Sequence, residues 1–382
     1  MKIVFTGGGS GGHLFPLISI IREFKKVAVQ KGEKIEREVI LSLYYLGPVD
    51  KFSKELFEKE GVKVVNIISG KIRRYLTPLS LFQNFFDILI KIPLGIIQSF
   101  FWLFLKAPDL VFSKGGPGSL PVILSSWLLQ IPLFIHESDA IPGLNNRMAA
   151  KFAQEIFISF QETEGFPKDK IFLVGNPIRN ELLQGSLEEG KRLFNINMER
   201  PVILILGGSQ GATRINDLII NILPEWLQEF DLIHQVGREN EENIKKEVEL
   251  LLSPELRKHY RIFGFLDEDY LKHALKIAHL IIARAGSGTI FEIAAAGKAS
   301  ILIPLPEAAQ NHQLKNASIL AKNKAAIMIE QANSTPHFLL ETAKNLLGDP
   351  EKLKTLALNA LEFAKPKAAR IIAEYLFAYL TT

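Results

Sequence analysis

Five glycines among six residues stand directly before a histidine in Gly7-Gly8-Gly9-Ser10-Gly11-Gly12-His13. Glycine tolerates positive φ and lets a ligand approach bare backbone N–H groups at a helix start, which suits an anion or a sugar; a tight turn is the plainer reading. His13 is then either a general base or a hydrogen-bonding cap. Gly7, Gly9 and Gly12 formally satisfy G-x-G-x-x-G, but no acid near Leu43 to Gly47 is placed to hold a ribose hydroxyl. A second cluster, Gly207-Gly208-Ser209-Gln210-Gly211-Ala212, lacks the Lys-Ser or Lys-Thr of a Walker A loop. It reads as a glycine-lined helix start with Ser209 as hydroxyl donor, fit for a diphosphate, or as a compact turn.

The third cluster, Arg284-Ala285-Gly286-Ser287-Gly288-Thr289-Ile290-Phe291-Glu292, stacks amides and two hydroxyls for phosphate, with Glu292 one turn further in to accept bonds from a vicinal diol. Ile290, Ile293, Ala294 and Ala295 make that helix largely buried, and a buried carboxylate needs a partner. The amide-dense loop Pro304 to Gln313 suits sugar hydroxyls or simply caps the next helix. His136-Glu137-Ser138-Asp139 is not a zinc H-E-x-x-H pair, because Ala140 stands where the second histidine belongs. Asp267-Glu268-Asp269 imitates a metal-binding D-x-D, but three acids at a helix start read as cap and dipole charges.

These clusters must be held by strands. Apolar runs at Ile3 to Phe5, Glu38 to Leu43, Val62 to Ile67, Leu110 to Phe112, Leu133 to His136, Glu155 to Ile158 and Phe172 to Val174 alternate with helical periodicity. After a charged segment the pattern restarts at Pro201 to Leu206, then Leu232 to Val236, Tyr260 to Phe263, Leu280 to Ile282, Ser300 to Ile303 and Ala326 to Ile329. Such alternation predicts two doubly wound parallel sheets, joined near Asn176-Pro177-Ile178-Arg179. One amphipathic helix, Ala368 to Leu380, remains at the end. Ligands of these sheets bind beyond the carboxyl ends of the strands, so two such edges could close on one ligand.

The chain of 382 residues has no cysteine, 47% apolar and 23% charged residues, and 45 basic against 41 acidic side chains. Disordered and fibrous classes, disulfides, thiolate metal sites and cysteine nucleophiles are excluded, and a net charge of +4 gives no broad footprint for nucleic acid. The total hides an asymmetry, since residues 1–180 carry 22 basic and 16 acidic groups. Residues 63–106 hold Lys63, Lys71, Arg73, Arg74, Lys91 and Lys106 against Asp87 alone, interleaved with Phe82, Phe85, Phe86, Phe100, Phe101, Trp102 and Phe104. Aromatics beside basic groups suit a surface resting on anionic headgroups, with Phe101, Trp102 and Phe104 as contacts; two buried core helices are the alternative. The uncharged run Ile92 to Leu105 is too short to span a bilayer, which needs about 20 apolar residues.

Seven motifs occur in register over residues 8–317: Gly8 to Pro16; His136-Glu137 with Gly143 and Asn145; Gly175-Asn176-Pro177-Ile178-Arg179; Gly207 to Ala212; Gly286 with Thr289; Glu292-Ile293-Ala294-Ala295-Ala296-Gly297; and His312-Gln313 with Asn316-Ala317. The chain thereby resembles glycosyltransferase family 28, the undecaprenyl-diphospho-muramoylpentapeptide β-N-acetylglucosaminyltransferases of bacterial cell-wall synthesis. That resemblance implies an α/β GT-B fold of two Rossmann-like doubly wound domains facing across a cleft. Residues 1–178 would form the acceptor- and membrane-associating domain, with the helix 366–382 packing back on it, and residues 179–365 the UDP-GlcNAc-binding domain. It implies inverting transfer of GlcNAc from UDP-GlcNAc to the C4 hydroxyl of lipid I, giving lipid II and UDP. No cofactor and no obligatory metal are implied. The partners would be UDP-GlcNAc, lipid I, an anionic membrane surface and other cell-wall synthesis proteins, at the cytoplasmic face of the membrane.

Carried over by position, Ser10, Gly11 and Gly12 face the donor sugar and diphosphate, and His13 is the candidate base. Arg179 and Ser209 would hold phosphate, Leu266 frame the uracil, Ser287, Gly288 and Thr289 meet the diphosphate, Glu292 the ribose, and Gln313 the GlcNAc hydroxyls. There are three departures from the family. Ser138-Asp139 replaces the usual Gln-Asn, making Asp139 a second candidate base and donor contact; Gln310 stands where an acid is usual; and Ala285 replaces a serine before the phosphate loop. The rival readings are another UDP-sugar GT-B enzyme, such as a glycolipid glycosyltransferase or a UDP-GlcNAc 2-epimerase, and a non-catalytic nucleotide-sugar binding protein.

Overall fold

Each apolar run is too short to reverse on itself, and the runs within each sheet are separated by crossover-length connections, most of them helical, which suits parallel pairing. The computed structural model describes residues 1–8, 11–34, 40–70, 77–207 and 213–382. It divides into one unit of Met1–Ile178 with Lys367–Thr382, and a second of Arg179–Pro366. In the first, β1 (Lys2–Thr6), β2 (Ser42–Gly47), β3 (Lys63–Asn66), β4 (Leu110–Ser113), β5 (Leu133–Glu137), β6 (Glu155–Ile158) and β7 (Ile171–Leu173) form a parallel sheet ordered β3-β2-β1-β4-β5-β6-β7. In the second, β8 (Val202–Leu206), β9 (Asp231–Gln235), β10 (Tyr260–Phe263), β11 (Leu280–Ala283), β12 (Ala299–Leu302) and β13 (Ile327–Met328) are ordered β10-β9-β8-β11-β12-β13. Strand order reverses beside β1 and β4 in one sheet and beside β8 and β11 in the other, which is where such sheets bind ligands.

Side chains of β1 alternate between two cores. Ile3 and Phe5 join Phe112, Phe134 and Phe157 under the helices Gly11–Lys34 and Ala368–Thr381, while Val4 joins Val111, Ile135 and Ile156 on the other face. The final helix is thus part of the first unit's core, through Ile372, Ala373, Leu376 and Phe377. The second strand is displaced from the expected Glu38 to Leu43. It begins at Ser42, because Tyr45 is the residue that stacks on Phe57 in the core, with ring centroids 4.2 Å apart, while Tyr44 faces Trp102 on the opposite side. Residues 35–39 lie outside those described.

The apolar basic segment is neither two core helices nor a short one. Helices Pro78–Phe86 and Ile92–Lys106 are joined through a π-helical turn, Asp87–Lys91, and the stretch Ser80–Lys106, 27 residues, is long and apolar enough to cross a membrane. One stripe pins it to the unit. Ile92, Gly95, Ser99 and Leu103 are buried, the Ser99 and Ser125 hydroxyls meet at 2.9 Å, and the Gln98 side chain donates to Asn66 O and accepts from Ile68 N. Gly95 is required by that approach, since a Cβ there would run into the Ile68 carbonyl. The opposite face is apolar and open: Phe82, Phe85, Phe101, Phe104 and Leu105 are 61, 59, 60, 64 and 76% exposed.

Candidate functional site

In the first unit the ends of β1, β4 and β5 lie side by side, because β4 pairs with both neighbours. Gly7 and Gly8 leave β1, Gly11 and Gly12 open the next helix, and His13 lies in its first turn. The imidazole is packed between two glycines: a Cβ on Gly8 would lie 3.1 Å from His13 Nδ1, and one on Gly116 would lie 2.8 Å from Nε2. Gly116 also has φ +84°, so a side chain there is excluded twice. Asn145 Nδ2 donates to Gly116 O at 2.6 Å and fixes that turn. Ser10, expected against the donor, lies outside the described residues.

Beyond β5, Glu137 organises the loop rather than reacting. Its carboxylate accepts from Asp139 N (3.1 Å), Gly143 N (2.9 Å) and Asn146 Nδ2 (2.9 Å). Burial still pushes its pKa up, helped by the charge of Asp139 and opposed by Lys114. His136 Nε2 lies 2.9 Å from Gly175 O and must donate to it, and burial holds the ring well below the usual histidine range, so it is a neutral tether. Asp139 is only partly buried, and its main-chain oxygen accepts from Thr163 Oγ1 at 3.5 Å.

Lys114 was not singled out by the sequence reading. It follows β4, is buried, and its ammonium donates to Ser138 Oγ. Burial brings its pKa down to about 8, against the pull of Glu137 and Asp139. A buried cation without a counter-charge would cost several kcal/mol, so the two carboxylates account for its presence. Its signal in the sequence is a lysine placed between a wholly buried strand and a Gly-Gly pair.

In the second unit, Leu280–Ala283 leads into the helix Ser287–Ala295, with Gly286 at the N-cap. The first backbone bond of that helix runs from Ile290 N to Gly286 O, so the amides of Ser287, Gly288 and Thr289 have no intrahelical acceptor. A Cβ on Gly286 or Gly288 would meet nothing within 4 Å, which leaves open space at the positive end of the helix. Arg179 and Glu292, assigned to phosphate and ribose separately, are joined: Arg179 Nε and Nη2 donate to the two carboxylate oxygens at 2.8 and 3.0 Å, with both side chains largely buried. Each is the partner that the other's burial demands.

Leu266 is fully buried, and its N–H is held by Gln235 Oε1 at 2.9 Å, so its side chain is core and its backbone carbonyl is what it can offer a base. Gln235, missed in the sequence, sets that loop. Gln313 Oε1 accepts from Leu305 N at 3.0 Å, leaving Nε2 as the group it can present to a hydroxyl. Asp267 caps the helix Glu268–Ile277 by accepting from Tyr270 N. Ser209 lies outside the described residues. Of the three aromatics expected at a membrane, Phe101 and Phe104 point outward, whereas Trp102 is half-buried with its ring edge-on to Tyr44 at 5.0 Å.

Known proteins share both halves of this arrangement. The glycosyltransferase family 28 N-terminal domain matches residues 3–158, and the family's C-terminal domain matches residues 202–374. A UDP-N-acetylglucosamine–N-acetylmuramyl-(pentapeptide) pyrophosphoryl-undecaprenol N-acetylglucosamine transferase of Shouchella clausii is 37% identical over 90% of each chain. Its namesake from Treponema denticola is 34% identical over 100% of this chain and 98% of its own. Among solved structures, MurG of Acinetobacter baumannii superposes with a TM-score of 0.70 over 99% of both chains at 24% identity, and a UDP-GlcNAc 2-epimerase of Neisseria meningitidis with 0.68 at 16%. The last two are likenesses of fold, the GT-B architecture. With both family domains matched along most of its length, the chain belongs to glycosyltransferase family 28.

Proposed function

We propose that this glycosyltransferase moves GlcNAc from UDP-GlcNAc to the C4 hydroxyl of the muramoyl sugar of lipid I, with inversion, releasing UDP and lipid II. Relatives sharing 33–37% of their residues with this chain are named for that transfer. The observation that carries the reading is the open helix start at Ser287–Thr289 with a carboxylate one turn inside it. Amides aimed at a diphosphate would stabilise the charge that develops as the sugar leaves, and the remaining lone pairs of Glu292 would accept from a ribose diol. Arg179 is committed to Glu292, so its part in donor binding runs through holding that carboxylate. Gln313 Nε2 would reach the GlcNAc hydroxyls.

An inverting displacement needs a base for the acceptor hydroxyl and no covalent nucleophile. His13 and Asp139 at the β1/β4/β5 edge are the two candidates. The exposed apolar helix face, rimmed by Lys91 and Lys106, would rest on anionic lipid and bring the enzyme to its lipid-linked acceptor. Lys71, Arg73 and Arg74 lie outside the described residues. Phe101, Phe104 and Leu105 would enter the headgroup layer, with Trp102 as their inner support. The test is UDP release from UDP-GlcNAc with and without a lipid I analogue. Acceptor-dependent release with formation of the disaccharide is expected; tight UDP-GlcNAc binding without acceptor-dependent turnover, or epimerisation at C2, would remove the transferase reading.

A further inference from the structure

The protonation of Lys114 dictates the direction of the hydrogen bonds around it. An ammonium has donors only, so Ser138 Oγ must accept from Lys114, and its own hydrogen is then committed to Asn176 Oδ1, 3.3 Å away. The relay ties three separate segments together: the end of β4, the loop after β5, and the Gly175-Asn176-Pro177-Ile178 stretch. Around it lie buried polar atoms with no partner among the described residues, Thr6 Oγ1, His136 Nδ1, Asn146 Oδ1 and Asn176 Nδ2. This is a polar floor beneath the strand ends, not an incidental lysine on a surface.

The titratable groups facing Lys114 come from β5 and the loop beyond it: the carboxylates of Glu137 and Asp139, and the neutral ring of His136. His13 stands on the neighbouring glycine of the same edge, against Gly116. Glu137 has its carboxylate spent on three N–H groups of the loop. Asp139 alone of the two carboxylates reaches solvent. Glu137 and Asp139 oppose each other's ionisation, and the charge of Lys114 relieves it.

We propose that Lys114 is a positioning residue of the sugar transfer: clamped on Ser138, its ammonium fixes the loop after β5 and holds Asp139 as a charged carboxylate turned toward the acceptor. The proposal rests on reading the β1/β4/β5 edge as the acceptor side. It adds a residue that neither the family motifs nor the sequence pattern picked out, and it explains Ser138 together with Asp139. A serine can accept from the lysine and pass its hydrogen on, and a carboxylate is the group that a buried cation would favour.

The test compares Lys114→Met, Asp139→Asn and the double variant with wild type, measuring kcat and KM against pH with UDP-GlcNAc and a lipid I analogue. It also follows the Asp139 carboxyl by 13C NMR titration in the ligand-free protein. Lys114→Met is expected to lower kcat at neutral pH about tenfold, to move the acid limb up by about one pH unit, and to leave KM for UDP-GlcNAc within about twofold. In the Asp139→Asn background the same change should shift nothing further. A wild-type profile in Lys114→Met, or an undiminished shift in the double variant, would overturn the proposal. Retained UDP binding shows that the variant has folded; should Lys114→Met not fold, Ser138→Ala, which keeps the charge and removes the clamp, must lower kcat without moving the acid limb. If wild type fails to turn over at all, the transfer reading falls, and the NMR titration still decides whether Lys114 sets the charge of Asp139.

Discussion

The two strand edges are built on the same plan and furnished in opposite ways. At the end of β11 the second unit has two glycines facing open space, helix-start amides with no intrahelical acceptor and an Arg179–Glu292 pair that neutralises itself. At the ends of β1, β4 and β5 the first unit has glycines pressed against His13, and a buried lysine among two carboxylates. Under the proposed function one edge would receive charge from outside, and the other would hold and move a proton within. The exposed apolar helix belongs to the same unit as the edge that holds Lys114.

The sharpest way to break this contrast is to remove the two candidate bases separately. His13→Ala and Asp139→Asn should divide so that one loses about 10²- to 10⁴-fold in kcat and the other far less, with KM for UDP-GlcNAc little changed in both. Steady-state kinetics on a lipid I analogue reads this directly. If both variants lose donor affinity and keep kcat, the first edge handles the donor and the assignment of the two edges reverses.

A smaller effect is expected at the membrane face. Phe101→Ser, Phe104→Ser and Leu105→Ser together remove apolar surface whose burial is worth about 1.5–3 kcal/mol per side chain when complete. Partial insertion should still leave vesicle binding about a hundredfold weaker in co-sedimentation with anionic lipid, with UDP binding untouched. Unaltered vesicle binding would leave the exposed stripe without a role in docking.

The course of the chain was legible because buried parallel strands leave continuous apolar runs; twelve of the thirteen coincide with strands within one residue at either end, and the second is displaced by four. The second strand slipped because Leu41 to Leu46 is apolar on both faces, and only the stack of Tyr45 on Phe57 fixes where pairing begins. Trp102 could not be told from Phe101 and Phe104 by composition. The helix register turns it toward Tyr44 while its neighbours face out. Lys114 and Gln235 were hidden for another reason: each acts on a group far away in sequence, the Ser138 hydroxyl and the Leu266 N–H, and no local spacing announces a partner 24 or 31 residues on.

At the second edge, Arg179→Met should weaken UDP-GlcNAc binding about tenfold and also lower stability, because an unpaired buried carboxylate costs about 3–5 kcal/mol. Adding Glu292→Gln should recover much of the stability, by removing that charge, while leaving donor affinity low. Calorimetric titration and chemical denaturation of the three variants separate the two roles. If the double variant binds UDP-GlcNAc as wild type does, the pair is only a structural tie.

The smallest effect tests whether charge at the first edge works as described. Burial lowers Lys114 to about 8, and its proton therefore leaves as pH rises through that value, well before an exposed lysine would titrate. Above it the ammonium is gone, Ser138 is no longer obliged to accept, and Asp139 loses the cation beside it. Wild-type kcat should accordingly fall about tenfold across an alkaline limb near pH 8 and converge on the rate of Lys114→Met, which should show no limb there. Lys114 belongs to the first edge, so UDP-GlcNAc affinity, read as the work of the second, should stay flat over the same interval. A fall in donor affinity that tracks the loss of kcat would mean that the two edges do not divide the chemistry as their furnishings indicate.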